Sequence, residues 1–226
     1  MKNTIDQIRA RVRELQAEFA ASGDVTGWFD ALYKEADGNN EVIPWADLEP
    51  NRYFRAWAES TGLTGEGRTA LVVGCGLGDD ARYLNGLGFR VTAFDISPTA
   101  VEWARKLHAN TDIVFETCDL FNPFRGWLEA FEFVLEIYTI QPLPLGIRPQ
   151  VVDAIAAFVA ENGTLVVVTR GREDDVEPDE LPWPMSRRDL ARFEQSGLSQ
   201  KSFSQMPGDE DEPDRFVVEY KRDTVL

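Results

Sequence analysis

Residues 71–95, LVVGCGLGDDARYLNGLGFRVTAFD, have the pattern of a buried strand, a glycine-containing turn, a helix and a second buried strand that ends in Asp95. The turn carries Gly74, Gly76 and Gly78, whose lack of a Cβ atom lets a ligand approach the backbone closely. Asp95 follows the first glycine by about 20 residues, where a carboxylate accepts hydrogen bonds from both hydroxyls of a ribose. The stretch therefore predicts a βαβ unit that binds an adenosine-bearing ligand.

The rest of the chain predicts one α/β domain built around this unit. From residue 65 onward, apolar strands alternate with helical segments, the pattern of a parallel sheet covered by helices on both faces. The last two strands, QKSFSQM and RFVVEYKR, flank an acidic loop and are expected to form an antiparallel hairpin. Residues 1–64 are expected to form an N-terminal helical cap, and residues 65–226 the core of the same domain.

The composition excludes several classes of partner. Lysine and arginine number 23 against 39 aspartate and glutamate, a formal net charge of −16, so nucleic acid and anionic membrane surfaces would be repelled. No apolar stretch is long enough to span a bilayer. The two cysteines, Cys75 and Cys118, are expected to be packing residues rather than a disulfide, a catalytic pair or metal ligands. We therefore expect a cytoplasmic protein with no nucleic acid, membrane or metal among its partners.

Acidic residues around the glycine turn indicate which adenosine compound binds. A dinucleotide site needs a third glycine where this chain has Asp79, and the carboxylates of Asp79 and Asp80 would repel a pyrophosphate. S-adenosylmethionine carries a sulfonium and an ammonium but no phosphate, so these acids favour it. Asp119 ends the third strand, where a carboxylate is placed to accept from the adenine amino group. Each of these acids alone also has an ordinary structural explanation, as a charge at a helix start, a helix cap or a turn residue. The prediction of S-adenosylmethionine therefore depends on finding such acids at several successive strand ends.

Four motifs resemble those of the seven-stranded, Rossmann-like S-adenosylmethionine-dependent methyltransferases: ALVVGCGLGDDARYL (70–84), FEFVLEIYTIQPLPLGIRP (131–149), LPWPMSR (181–187) and IPWADL (43–48). The resemblance is closer to the thiopurine methyltransferase-like group, which includes thiol and halide methyltransferases. It implies a three-layer sandwich and S-adenosylmethionine as cofactor, with S-adenosylhomocysteine as product. Together with the spacing, it implies these cofactor-binding residues: Trp45, Gly74, Cys75, Gly76, Gly78, Asp80, Asp95, Ile96, Asp119, Leu120 and Glu136.

The chemistry of methyl transfer favours a soft nucleophile as acceptor. An anionic nucleophile that attacks a sulfonium methyl group needs no obligatory base, because both charges are neutralised as the bond forms. The only histidine, His108, lies near the end of the predicted helix PTAVEWARKLHAN and is expected to be a helix-terminal cation or a surface residue, not a base. The chain also lacks an Asn-Pro-Pro-Tyr type motif, which disfavours modification of bases or amides. A small-molecule acceptor with a soft nucleophile, such as a thiol, a halide or a similar group, is therefore expected.

Residues after the fourth strand are expected to face the reacting methyl group, since ligands of open α/β sheets bind beyond the carboxyl ends of the strands. Tyr138 and Gln141 are the candidate catalytic residues, and Glu136 is expected to accept from the ammonium of the cofactor. The sequence is equally compatible with a purely structural role for these three residues at the end of the fourth strand. An NAD-dependent oxidoreductase and a non-catalytic S-adenosylmethionine-binding regulatory protein also remain open, as does the oligomeric state.

Overall fold

A computed structural model describes residues 2–178, 181–208 and 212–224 of the chain. The N-terminal part is helical, and a 3-10 turn at Asn40–Val42 lies in the loop between its second and third helices. The third of these helices begins after Asn51, whose side chain accepts hydrogen bonds from the amides of Tyr53 and Phe54. The three helices are α1 (Lys2–Ala21), α2 (Gly27–Ala36) and α3 (Arg52–Thr61).

Strands and helices alternate through the remainder of the described chain, as the sequence predicts. The elements are β1 (Thr69–Val73), α4 (Asp79–Gly86), β2 (Arg90–Asp95), α5 (Pro98–Leu107), β3 (Val114–Thr117), β4 (Phe131–Ile137), α6 (Arg148–Ala156), β5 (Val159–Arg170), α7 (Arg187–Leu190), α8 (Arg192–Gln195), β6 (Ser199–Met206) and β7 (Arg215–Lys221).

The strands form one seven-stranded sheet in the order β3-β2-β1-β4-β5-β7-β6. Strands β1 to β5 pair in parallel, whereas β7 is antiparallel to both β5 and β6. The predicted mostly parallel sheet with an antiparallel C-terminal hairpin is therefore confirmed. The strand order reverses direction between β1 and β4, and the carboxyl ends of these strands flank the crevice where open α/β sheets bind ligands.

Helices cover both faces of the sheet. Val134 and Leu135 are adjacent on β4, and both are completely buried, on opposite faces. One face packs against α6 and α8, and the other against α3, α4 and α5. Helix α3, although it falls within the predicted cap, places Phe54 and Trp57 directly against Phe133 of β4. In the part of the chain that the structure describes, no helix is long and apolar enough to cross a membrane.

Candidate functional site

The glycine turn joins β1 to α4 in a conformation that only glycine adopts easily. Gly74 and Gly78 have φ values of +58° and +86°. A Cβ atom on Gly74 would lie 2.5 Å from Oγ1 of Thr139, and one on Gly78 would lie 2.7 Å from the ring of Phe115. These two glycines are therefore required by the backbone conformation and by neighbouring protein atoms.

Asp95 organises the same turn from the end of β2. Its Oδ2 accepts a hydrogen bond from the amide of Gly76 and its Oδ1 accepts one from the amide of Ser97, both at 2.9 Å. Burial raises the pKa of Asp95, and the backbone donors oppose that shift. The neighbouring Ile96 is half-buried, and the thiol of Cys75 has a pKa well above its ordinary value because it is buried. The structure thus brings Gly76, Cys75, Asp95 and Ile96 together.

The two acids at the start of α4 lie in a poorly solvated environment. Burial raises the pKa of Asp79 to about 6 and that of Asp80 to about 7. Oδ1 of Asp80 accepts a hydrogen bond of 2.7 Å from the amide of Asn51, the residue that caps α3. Asp80 therefore anchors α3 to the glycine turn, a contact that the sequence pattern did not indicate.

Asp119 lies in the turn that follows β3. Its carboxylate accepts hydrogen bonds from the amide of Phe121 and the side-chain amide of Asn122, at 2.9 and 2.7 Å. The next residue, Leu120, is half-buried and packs against the core. Cys118, just before Asp119, donates its amide to the carbonyl of Asp95, which joins the ends of β2 and β3. Asp119 is thus a turn residue, and this contact sets its turn beside the end of β2.

Glu136 lies completely buried near the end of β4, in register with Val73 of β1. Its Oε1 accepts hydrogen bonds from the amides of Thr139 and Ile140, at 2.7 and 3.1 Å. Oε2 has no hydrogen-bond partner among the described residues, and burial raises the pKa of this carboxyl to about 7. Such a group has the capacity to accept from one further donor, and it gains most from a cationic one.

Tyr138 and Gln141 follow β4 but differ in their contacts. The hydroxyl of Tyr138 accepts a hydrogen bond of 2.9 Å from Nε of Arg215, and burial raises its pKa. Gln141 is completely buried, and its amide donates to the carbonyl of Trp183 and accepts from the backbone amide of Arg170. Both ends of the Gln141 amide are therefore engaged by backbone, which holds the loop after β4 against the end of β5.

An aromatic cluster from the N-terminal segment covers the glycine turn. Nε1 of Trp45 donates to the hydroxyl of Tyr33 at 2.8 Å, and a Cβ atom on Gly76 would lie 3.0 Å from that hydroxyl and 3.9 Å from the Trp45 ring. Trp28 and Phe29 stack on each other and meet Trp45 edge-on. We call these four rings the aromatic cover. Trp45 is 39% exposed, the largest exposure in the aromatic cover, so it lies between solvent and the turn.

The expectation for His108 is wrong in one respect. The residue does end α5, but it is buried, and its Nε2 lies 2.8 Å from the carbonyl oxygen of Leu77 in the glycine turn. Burial lowers its pKa, so the ring is neutral and Nε2–H donates to Leu77. The ring also stacks on Phe115. His108 is therefore neither a cation nor a surface residue but a support for the glycine turn.

The predicted residues converge at one edge of the sheet. Four adjacent strands carry them at their carboxyl ends: Asp119 follows β3, Asp95 ends β2, the glycine turn follows β1 and Glu136 lies near the end of β4. Trp45 covers the turn. Sequence reasoning missed several residues that complete this edge, because each depends on long-range contacts: Tyr33, Asn51, Thr139 and Arg215.

Comparisons with known proteins match this architecture. Residues 70–163 match the family described as a methyltransferase domain. The chain carries a methyltransferase domain. No curated protein matches the chain.

Solved structures of S-adenosylmethionine-dependent methyltransferases share the fold. An N-methyltransferase, NodS, from Bradyrhizobium japonicum, in complex with S-adenosylhomocysteine, is 16% identical, with a TM-score of 0.65 over 85% of this chain and 96% of that one. The 1,6-didemethyltoxoflavin-N1-methyltransferase of Burkholderia thailandensis, with bound 1,6-didemethyltoxoflavin and S-adenosylhomocysteine, is 16% identical, with a TM-score of 0.67 over 92% of this chain and 90% of that one. The methyltransferase domain therefore has the Rossmann-like fold of this class of enzymes.

A third structure comes from a study of the conversion of a disulfide bond into a thioacetal group during echinomycin biosynthesis. It is 24% identical, with a TM-score of 0.69 over 88% of this chain and 93% of that one. At these identities the likeness shows the fold alone.

Proposed function

We propose that the methyltransferase domain transfers the methyl group of S-adenosylmethionine to a small-molecule acceptor with a soft nucleophile, foremost a thiolate. The observation that carries the choice of cofactor is the pair of carboxyl groups at the start of α4, Asp79 and Asp80. A dinucleotide would place its pyrophosphate at that helix start, where the carboxylates oppose it. S-adenosylmethionine has cationic groups in place of phosphates.

The proposed contacts with the cofactor use the carboxylates and apolar side chains at the carboxyl ends of β2, β3 and β4. Asp95 accepts from the ribose hydroxyls and Asp119 from the adenine amino group. The half-buried side chains of Ile96 and Leu120 lie next to these carboxylates in sequence and flank the adenine ring. The unpartnered Oε2 of Glu136 accepts from the ammonium group, which lowers the cost of keeping this buried carboxylate charged.

The aromatic cover has two functions in this proposal. Trp45 offers the face of its ring to the sulfonium, an attraction of about 0.5–2 kcal/mol depending on how far the pair is desolvated. Together with Trp28, Phe29 and Tyr33 it also excludes water from the reacting centres. Excluding water favours a displacement in which a cation and an anion combine into neutral products.

The reaction itself is an in-line displacement. The acceptor's nucleophile forms a bond to the methyl carbon while the carbon–sulfur bond of the sulfonium breaks, and its electron pair stays on sulfur to give S-adenosylhomocysteine. The raised pKa of Tyr138 keeps the proton on its phenol at neutral pH. The phenol orients the methyl acceptor by donating a hydrogen bond to it. Gln141 acts indirectly, by holding the loop that carries Tyr138.

A thiol acceptor suits this domain because the only histidine, His108, is neutral, hydrogen-bonded to Leu77 and not available as a base. With an ordinary pKa of about 8.5, a thiol provides some thiolate at neutral pH without help from a base.

The test is transfer of a labelled methyl group from S-adenosylmethionine to a panel of thiols, halides and amines. We expect transfer to at least one thiol at a higher kcat/KM than to the amine of matched size. Tight binding of S-adenosylhomocysteine without transfer to any acceptor would instead indicate a cofactor-binding regulatory protein. Saturable binding of NADH without binding of S-adenosylhomocysteine would instead indicate an NAD-dependent oxidoreductase.

A further inference from the structure

One carboxylate, that of Glu212 in the loop between β6 and β7, is bound by three guanidinium groups. Oε2 of Glu212 lies 2.9 Å from Nη2 of Arg170 and 3.1 Å from Nη2 of Arg215, and Oε1 lies 3.3 Å from Nη2 of Arg9. We call these four residues the arginine cluster. Nearby, the carboxylate of Asp214 accepts from Nε2 of Gln205. The cluster therefore carries more positive than negative charge, in a chain whose formal net charge is −16.

The arginine cluster lies beside the residue proposed to orient the methyl acceptor. Arg170 ends β5, and Arg215 begins β7 directly opposite it in the antiparallel register. Nε of the same Arg215 donates to the hydroxyl of Tyr138, which follows β4. The cluster is thus at the carboxyl ends of β4 and β5, the edge at which this fold binds its ligands.

The guanidinium groups of Arg170 and Arg215 are poorly solvated and need an anion, whereas the Arg9 side chain is exposed. The side chain of Arg215 is only 7% exposed, and its guanidinium lies 5.7 and 5.8 Å from the ring centroids of Tyr53 and Tyr138. The Arg170 side chain is 26% exposed. A cation withdrawn from water to this degree is costly unless a carboxylate accompanies it, and the planar guanidinium forks match a carboxylate in geometry.

Glu212 is held differently from Asp189, the carboxylate that a second pair of arginines shares. Arg148 and Arg172 share the carboxylate of Asp189, which also forms a capping box with Ser186 at the start of α7. Asp189 is therefore fixed by its own helix. Glu212 belongs to the loop between β6 and β7, so another carboxylate can replace it without disrupting a helix or a strand.

We propose that Arg170 and Arg215 bind a carboxylate group of the methyl acceptor, and that Glu212 occupies this position when no acceptor is bound. This inference rests on the proposed function, and it narrows the acceptor to a small molecule with a carboxylate at one end and the nucleophile at the other. The carboxylate exchanges with Glu212 on the guanidinium groups, and the nucleophile then lies on the Tyr138 side of the cluster.

The experiment compares thiols that differ only in charge. Calorimetry measures binding of 3-mercaptopropionate against 3-mercapto-1-propanol, and of 4-mercaptobenzoate against 4-mercaptobenzyl alcohol, with and without saturating S-adenosylhomocysteine. The variants are Arg170→Met and Glu212→Gln. Their matched controls are Arg192→Met and Asp153→Asn, which break an exposed ion pair between α8 and α6 outside the arginine cluster.

We expect the carboxylate to bind about tenfold more tightly than the alcohol in at least one pair. Arg170→Met should remove most of that preference, whereas Glu212→Gln should raise the affinity for the carboxylate severalfold, because the competing group is gone. The controls should stay within twofold of wild type. A purely structural ion pair predicts the opposite for Glu212→Gln, namely lower stability with no gain in affinity.

Two results would overturn the inference: no preference for the carboxylate in either pair, or an affinity that Glu212→Gln leaves unchanged or lowers. Failure of the proposed function gives a different result, because it appears as absence of S-adenosylhomocysteine binding or of methyl transfer. The titrations without S-adenosylhomocysteine still report on the anion site in that case.

Discussion

Asp95→Asn tests the proposed ribose contact most directly. The carboxylate accepts from the amides of Gly76 and Ser97, one on each oxygen. Asparagine keeps the shape but replaces one oxygen by an NH2 donor, which then faces an N–H donor. One hydrogen bond to a charged group is lost, about 1.5–3 kcal/mol, and so is the negative charge offered to the ribose hydroxyls.

If the ribose binds this carboxylate, the affinity for S-adenosylhomocysteine should fall by about 1.5–3 kcal/mol, equivalent to about 10- to 150-fold in Kd. Calorimetry at pH 8 measures this change. Thermal unfolding without ligand separates it from the loss of stability, at about 2–4 °C of Tm for each kcal/mol in a chain of this size.

Asp112→Asn is the matched control, because it removes the same charge from an exposed residue before β3. Its Kd should stay within twofold of wild type. A folded Asp95→Asn variant that also binds S-adenosylhomocysteine within twofold of wild type would show that the ribose does not use this carboxylate.

Three further substitutions test other parts of the site. Glu136→Gln should weaken binding of S-adenosylhomocysteine more at pH 8 than at pH 6 in calorimetry, because the wild-type carboxyl, with a pKa of about 7, is mainly ionised only at the higher pH; an equal loss at both pH values contradicts the ammonium contact. Trp45→Leu should weaken binding of S-adenosylmethionine about 2- to 30-fold more than binding of S-adenosylhomocysteine, whose sulfur is uncharged, and Trp45→Phe less so; an equal effect on both ligands excludes an attraction to the sulfonium. Gly78→Ala should lower the free energy of unfolding by about 1–3 kcal/mol in urea titrations, since its φ is +86° and its Cβ would meet Phe115. Gly86→Ala, with open space around the Cβ, is its control and should be neutral or slightly stabilising.

The parts of the molecule that could be predicted from the sequence are those set by local pattern. The βαβ unit over residues 71–95 has periodic apolar residues, glycines at a turn and a terminal acid, and each of these depends only on neighbours in the chain. The mostly parallel sheet with helices on both faces follows from the alternation of strand and helix and from the apolar composition of each strand.

Long-range contacts of polar side chains could not be predicted in this way. His108 was expected to be a helix-terminal cation or a surface residue because its sequence neighbours are helical, but the fold buries it against Leu77, about 30 residues away along the chain. Glu212 looked like part of a solvated acidic loop, because nothing nearby in sequence indicates Arg170 or Arg9. Partners of this kind are fixed by tertiary packing, which leaves no periodic signal in a single sequence.

The hydrogen bond between Asp80 and the amide of Asn51 bears on how molecules enter and leave. At one end, the stretch between α2 and α3 is fixed by this bond, and near its middle Trp45 is held by Tyr33. On either side of Trp45, Ile43 and Ala46 are buried in the same core cluster as Leu32 and Tyr33, so the span is held by packing as well as by hydrogen bonds. A molecule that reaches the glycine turn from this side therefore has to pass a packed segment rather than a free loop.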